Sequence, residues 1–296
     1  MKLGGLRPAD TVLVERGTGV IGFVRLSVST LLLGVCLAGS LCTTAAAETP
    51  TVSMHNTESS AVLNAALVDE YWTDASVKTH NNQLYDEVRL KSLDSGYVPM
   101  ITGEGQQDFD IDVVSQTVFK ELSRLPKHME GAEAVVNLGS GYDPKVGSEY
   151  VDTFYFVDLT LFYTAFTQRT YMFKDETTGT HYLFFEKVTE DMVDDATWAA
   201  YQKKMAAAEA SVDKRWAFSS TVPASDVFGV YIIGPGDDRK TRVTLVSRIV
   251  FGAEASWVAQ WGSKMPSVIK AGIKNGFNAC VAIAAEEQAE ADRKAG

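Results

Sequence analysis

Cysteine is nearly absent from this chain, which has three among 296 residues: Cys36, Cys42 and Cys280. Histidine is almost as scarce. His55, His80, His128 and His181 show neither an H-x-x-x-H pattern nor a spacing that pairs them with cysteine, so no zinc site is expected. No G-x-S-x-G occurs, which removes the signal for a hydrolase nucleophile elbow. GSGYD at 139–143 precedes no helical pattern able to receive a phosphate, and is expected to be a turn. Basic residues are also in deficit, 27 Lys and Arg against 38 Asp and Glu.

Hydrophobic runs of membrane length are missing with one exception, LSVSTLLLGVCLAGSLC from Leu26 to Cys42. Lys2, Arg7, Arg16 and Arg25 precede it, and TTAAAETP follows, with Ala45, Ala46 and Ala47 supplying the small residues that signal peptidase needs. Basic region, apolar region and A-x-A in that order predict a secretory signal at 1–47, cut after Ala47. The run is near the lower edge of the ~17–25 residues that span a bilayer and ends without a basic stop. Val35 and Leu41 precede the two cysteines, which does not suit a lipid anchor. Cleavage removes four basic and two acidic residues, leaving a net charge of −13. Such a surface excludes binding to a phosphate backbone. It also disfavours standing attachment to anionic lipid, leaving transient membrane contact. Cys280 alone survives cleavage, so no internal disulfide is expected; a domain this large manages without one.

The mature part reads as an N-terminal helical extension (48–98), a domain (99–290) and a polar tail (291–296). Val62, Leu63, Ala66, Leu67 and Tyr71 recur at helical spacing, and Val88 to Leu93 adds a turn or strand. DFDIDVV (108–114) alternates like a half-buried strand, and SQTVFKELSRLP then reads as a helix capped by Ser115 and stopped by Pro126. Strands follow at 132–139, 150–163, 169–175 and 180–188, with Glu176 to Gly179 as a hairpin turn. A helix over 190–213 interrupts them, carrying Trp198, Tyr201, Met205 and Val212 on one side. Strands resume to about 251, and a helix closes the chain from Ser256 to Gln288. Its apolar stripe runs through Trp257, Trp261, Met265, Ile269, Ile273, Phe277, Cys280 and Ala284, with a kink or restart at Pro266. Helices segregated from an antiparallel sheet make an α+β fold.

Four stretches in this order resemble the START domain family, the helix-grip lipid-transfer proteins. FDIDVVSQTVFKELSRL is similar to the family's strand and short helix. LFYTAFTQRTYMFKD is similar to its strand-bearing segment, with Arg169 at the Arg position. GDDRKTRVTLVSRIVFGA resembles the strand that opens with a turn and Thr-Arg-Val. SWVAQWGSKMPSVIKAGI resembles the start of its last helix, with Trp257 in place. The insert at 190–213 is longer than the family has there, and the usual Pro before the Trp is absent. The resemblance implies a curved antiparallel sheet wrapped around a long C-terminal helix. It further implies an apolar cavity between them for one lipid, sterol or other hydrophobic molecule, with no cofactor, metal or catalytic group required.

Candidate ligand contacts are Trp257, Trp261, Met265, Ile269 and Ile273 on the closing helix. Arg169, Asp158, Glu186 and Arg248 join them because each interrupts an apolar strand. Facing inward, these charges would orient a ligand and would need partners of their own; facing outward, as half of strand residues do, they would be structural. The expected protein is exported, periplasmic or extracellular, and binds a hydrophobic small molecule, with transfer between membranes as a further role. The rival readings are a helix-grip enzyme of cyclase or hydrolase type and an interaction module that docks through 190–213.

Overall fold

The computed structural model describes residues 51, 53–73, 77–80, 87–91, 100–159, 162–213, 221–252 and 266–295. The chain divides into two units, 1–46 and 47–296, and every described residue belongs to the second.

Helix α1 (Thr57–Ala66) opens this unit, its N-terminus capped by the Asn56 side chain, which accepts from the backbone of Glu58 and Ser59. A single 3₁₀ turn (Asp69–Trp72) follows, then strands β1 (Val77–His80), β2 (Glu87–Lys91) and β3 (Met100–Gln107). Helices α2 (Ile111–Lys120) and α3 (Leu125–His128) lead into β4 (Ala132–Asp143), β5 (Ser148–Asp158), β6 (Tyr163–Asp175) and β7 (Thr180–Glu186). Helix α4 (Asp195–Ala210) precedes β8 (Thr221–Pro235) and β9 (Thr241–Phe251), and α5 (Pro266–Ala295) closes the chain.

The strands form one curved nine-stranded sheet in the order β1-β2-β3-β9-β8-β7-β6-β5-β4. Its curvature has visible causes. Register shifts break β4 at 132–134 and 137–139 and β8 at 224–226, and bulges of this kind bend a strand. Where β7 ends, the start of β8 pairs directly with β6 in parallel, Tyr163 opposite Thr221. Helices α2 and α3 pack against α5 on one side of the sheet, while α1 and α4 contact β8, β9, β4 and β5.

Several sequence expectations need correction. DFDIDVV is not a strand: Ile111 onward is helical, with Asp110 in extended backbone at its start and Val114, Val118 and Phe119 buried. A short apolar run satisfies both periods, and here Val114 and Val118, four apart, find their core as a helix. The strand lies one segment earlier, in the glycine-bearing MITGEGQQ. Ser115 sits inside α2 rather than capping it, and Pro126 lies in the first turn of α3, where its missing N–H costs nothing. The 150–163 run is two strands, β5 and β6. GSGYD belongs to β4, and the turn falls after it, closed by the Gly147 N–H donating to the Asp143 carbonyl at 2.7 Å. The closing helix runs on through residues 291–295, part of the stretch expected as a polar tail beyond it, and residues 291–294 are exposed. Residues 256–265 of the expected helix lie outside the described residues. Among the described residues, no helix is long and apolar enough to cross a membrane.

Candidate functional site

Strand register sorts every side chain of the sheet onto one of two faces. Asp152 pairs with Arg169, Arg169 with Glu186, Glu186 with Phe228 and Phe228 with Arg248, so these side chains share one face. Asp158, opposite Tyr163, is on it too. This outer face packs against α1 through Leu63, Ala66, Phe184, Phe228 and Val246, and against α4 through Phe154, Phe156, Tyr163, Tyr201 and Ala208. The inner face carries Val151, Tyr155, Phe166, Met172, Leu183 and Tyr231, and packs against α2, α3 and α5.

A buried ionic network occupies the middle of the outer face. Arg169 is 1% exposed, and its guanidinium donates from Nε and Nη2 to both oxygens of Asp152 at 2.7 and 2.8 Å. Nη1 reaches Asp143 Oδ2 at 3.3 Å, and the ring of Tyr150 lies 3.7 Å beneath the guanidinium carbon. The Tyr171 hydroxyl lies 3.0 Å from Asp143 Oδ2 and 3.0 Å from Glu186 Oε1, with one proton for two carboxylates. The Glu186 carboxylate accepts the backbone N–H groups of His55 and Asn56 at 3.0 and 3.1 Å, while His55 Nε2 meets Asp143 Oδ2 at 2.7 Å. From α4, Tyr201 donates to Asp152 Oδ2 at 2.9 Å. That approach explains a glycine: a Cβ on Gly139 would lie 2.4 Å from the Tyr201 hydroxyl.

Burial works against the Arg169 charge, but the two bonds to Asp152 outweigh it and raise the guanidinium above its ordinary value. Burial alone would raise Asp143; hydrogen bonds from His55 and Tyr171 outweigh it and hold the carboxyl below its usual range. Burial and the neighbouring Glu186 charge push the Tyr171 phenol up. Each charge in the network meets a protein partner. The network therefore ties the segment before α1, the middle strands and α4 together, and as built it solvates no external ligand.

Of the two placements open for the four strand charges, register gives the outward, structural one. Arg169, Asp158, Glu186 and Arg248 all lie on the outer face, because register gives them the same parity. Arg248 is half-buried near Tyr71, Asp226 and Glu58, and burial lowers its pKa. The sequence marks these residues as interruptions of apolar strands, but alternation alone does not say which face is inner. Trp257, Trp261 and Met265 lie outside the described residues, and so do the side chains of Ile269 and Ile273 on α5.

The inner face has a different chemistry. Between the hairpin ends, where Glu149 and Lys174 are exposed, the inner side of β5 to β9 presents no Asp, Glu, Lys or Arg. Its polar groups are neutral: Thr153, Tyr155, Thr164, Gln168, Thr170 and Tyr231, with His181 toward α2, where Nε2 lies 3.5 Å from Asp112. Tyr155 and Tyr231 escaped the sequence reading because an aromatic in a strand is most simply a core residue. Only the shared parity of positions 151, 153 and 155 with the α5-facing residues distinguishes them. Among the described residues no cluster of metal-ligating side chains occurs.

No family model matches the sequence, and no curated protein is similar to it. Solved structures are similar in fold. Human STARD10 superposes with a TM-score of 0.51 at 9% identity, covering 78% of this chain and 83% of its own. Human StAR-related lipid transfer protein 5 gives 0.49 at 13% identity, covering 78% and 97%. A fragment of a STAR-related lipid transfer protein from Xanthomonas axonopodis gives 0.47 at 12%, covering 71% and 98%. With α2, α3 and α5 held against one face of a curved antiparallel sheet, the fold of this chain is the START-type helix-grip fold.

Proposed function

We propose that this protein is exported and holds one hydrophobic molecule, a lipid or sterol, between the inner face of its sheet and α5, with transfer between membranes as its role. One observation carries the reading. Phe166, Met172, Tyr231, Leu245, Phe277 and Cys280 project into the layer between sheet and helix, yet each keeps accessible surface. Their neighbours Leu183 and Ile233 in the same layer keep none. Burial pushes the Cys280 thiol up to about 12. We read the surface these residues keep as a space lined by apolar groups between sheet and α5. Gly105 lies on the same face and adds no side chain to fill it. Enclosing a ligand there is favoured by apolar burial at ~25 cal/mol per Å². The fold shared with human STARD10 supports the placement. Export rests on the leader-like order of basic, apolar and small residues across 1–47.

The test is native mass spectrometry of the protein recovered from the exported fraction, followed by organic extraction. The expected result is a polypeptide beginning at Glu48 with a lipid or sterol bound in one-to-one ratio. A protein that is empty, and that takes up no fluorescent lipid, would overturn the binding reading. An intact leader on protein retained inside the cell would overturn export.

A further inference from the structure

We propose that Tyr155, Tyr231 and Cys280 form a polar end to this pocket that selects an uncharged, oxygen-bearing ligand, such as a hydroxyl or ketone on an apolar body, over a carboxylate. The inference rests on the pocket reading above and names what it would take.

Tyr155 stands on β5 and Tyr231 on β8, with β6 and β7 between them. In a flat sheet their backbones would be roughly 14 Å apart at ~4.8 Å per strand. Curvature brings the side chains together instead: both pack beside Cys280 of α5, and the Tyr155 phenol feels Tyr231 and Cys280 as its nearest titratable neighbours. Tyr155 is 7% exposed, stacked on Phe166 with ring centroids 4.9 Å apart. Tyr231 lies against Phe185, with centroids 5.5 Å apart. Stacking fixes the rings but does nothing for the hydroxyls. Among the described residues, neither hydroxyl has a hydrogen-bond partner. Each hydroxyl keeps a little accessible surface. Buried phenols ordinarily find a partner, and two without one, packed beside the same Cys280, are placed to meet a ligand atom.

The charge balance selects the ligand. Burial raises both phenols above their ordinary values, so they stay neutral and act as donors and acceptors. The inner side of β5 to β9 offers a carboxylate no Arg or Lys, so it would lose its hydration without a counter-charge from the sheet. A hydroxyl or ketone needs only the hydrogen bonds that these groups offer.

The experiment compares equilibrium binding of tritiated 1-dodecanol and laurate, equal in chain length, to the purified full-length chain and to its Tyr155→Phe/Tyr231→Phe variant. Thermal melts verify that both are folded. The wild type is expected to bind the alcohol at least about tenfold more tightly than laurate, and the variant to lose about five- to tenfold for the alcohol alone, the size of one or two neutral hydrogen bonds. Equal or tighter binding of laurate by the wild type overturns the selectivity while leaving the pocket standing. An unchanged alcohol affinity in the variant overturns the assignment to these tyrosines. Failure of the wild type to bind either probe removes the pocket itself, and this proposal with it.

Discussion

Arg169 sets the character of the outer face. Asp143, Asp152 and Glu186 bring three carboxylates within its surroundings, and two of the three depend directly on its donors. Removing one partner of a buried ion pair strands the others, which costs about 3–5 kcal/mol, whereas a lone surface pair is worth under ~1. Arg169→Met is therefore expected to lower the unfolding free energy by about 3–5 kcal/mol in urea titration. A loss below about 1 kcal/mol would show that water or rearranged side chains serve the carboxylates instead. The sequence flagged Arg169 and Glu186 as unusual, and they are, but their purpose was not legible. Asp152, Asp143, Tyr171 and His55 complete their environment, and they come from separate strands and from the segment before α1. No local pattern links these positions; only the register of four neighbouring strands does.

Among elements, α5 is held by charge at its C-terminal half as well as by the apolar residues Ala279, Ile283 and Ala284. Glu286 accepts from Lys127 Nζ at 2.7 Å and from the Arg124 guanidinium, with His128 Nε2 at 3.4 Å, so α3 grips the closing helix. Those hydrogen bonds, Lys127 foremost, hold the Glu286 carboxyl at about 2 against an ordinary 4.5. The folded value is depressed, so the tie contributes in full above pH 4.5 and is lost as pH falls toward 2. Glu286→Gln lacks the tie at every pH. The gap in melting temperature between wild type and variant is therefore expected to close between pH 4.5 and 2; a constant gap would refute the linkage. Elements with strong periodicity were legible: the helix on Trp198 and Tyr201, the hairpin at Glu176 to Gly179 and the closing helix from Pro266 onward all stand. Short β1 and the glycine-bearing β3 were not, because their place in the sheet comes from β2 and β9 rather than from their own β-propensity.

At the scale of the whole molecule, the order of elements carried more information than any motif. Each of the four stretches that resemble the START family is degenerate; the second and third fall on β6 and β9 as the resemblance implies, the first is helix without the expected strand, and residues 256–265 of the fourth lie outside the described residues. The pocket chemistry was less legible, since strand alternation gives two faces without a label and curvature, which brings Tyr155 to Tyr231, is a property of nine strands together. The outer network has one more consequence. It sews β5, β6 and β7 to α4 and to the residues before α1, making the sheet the stiff side of the layer it shares with α5. On the proposed reading, the side that yields to a ligand is the helical one. In deuterium exchange, amides of β5 to β7 should be the last to label, and occupancy should slow labelling chiefly along α5.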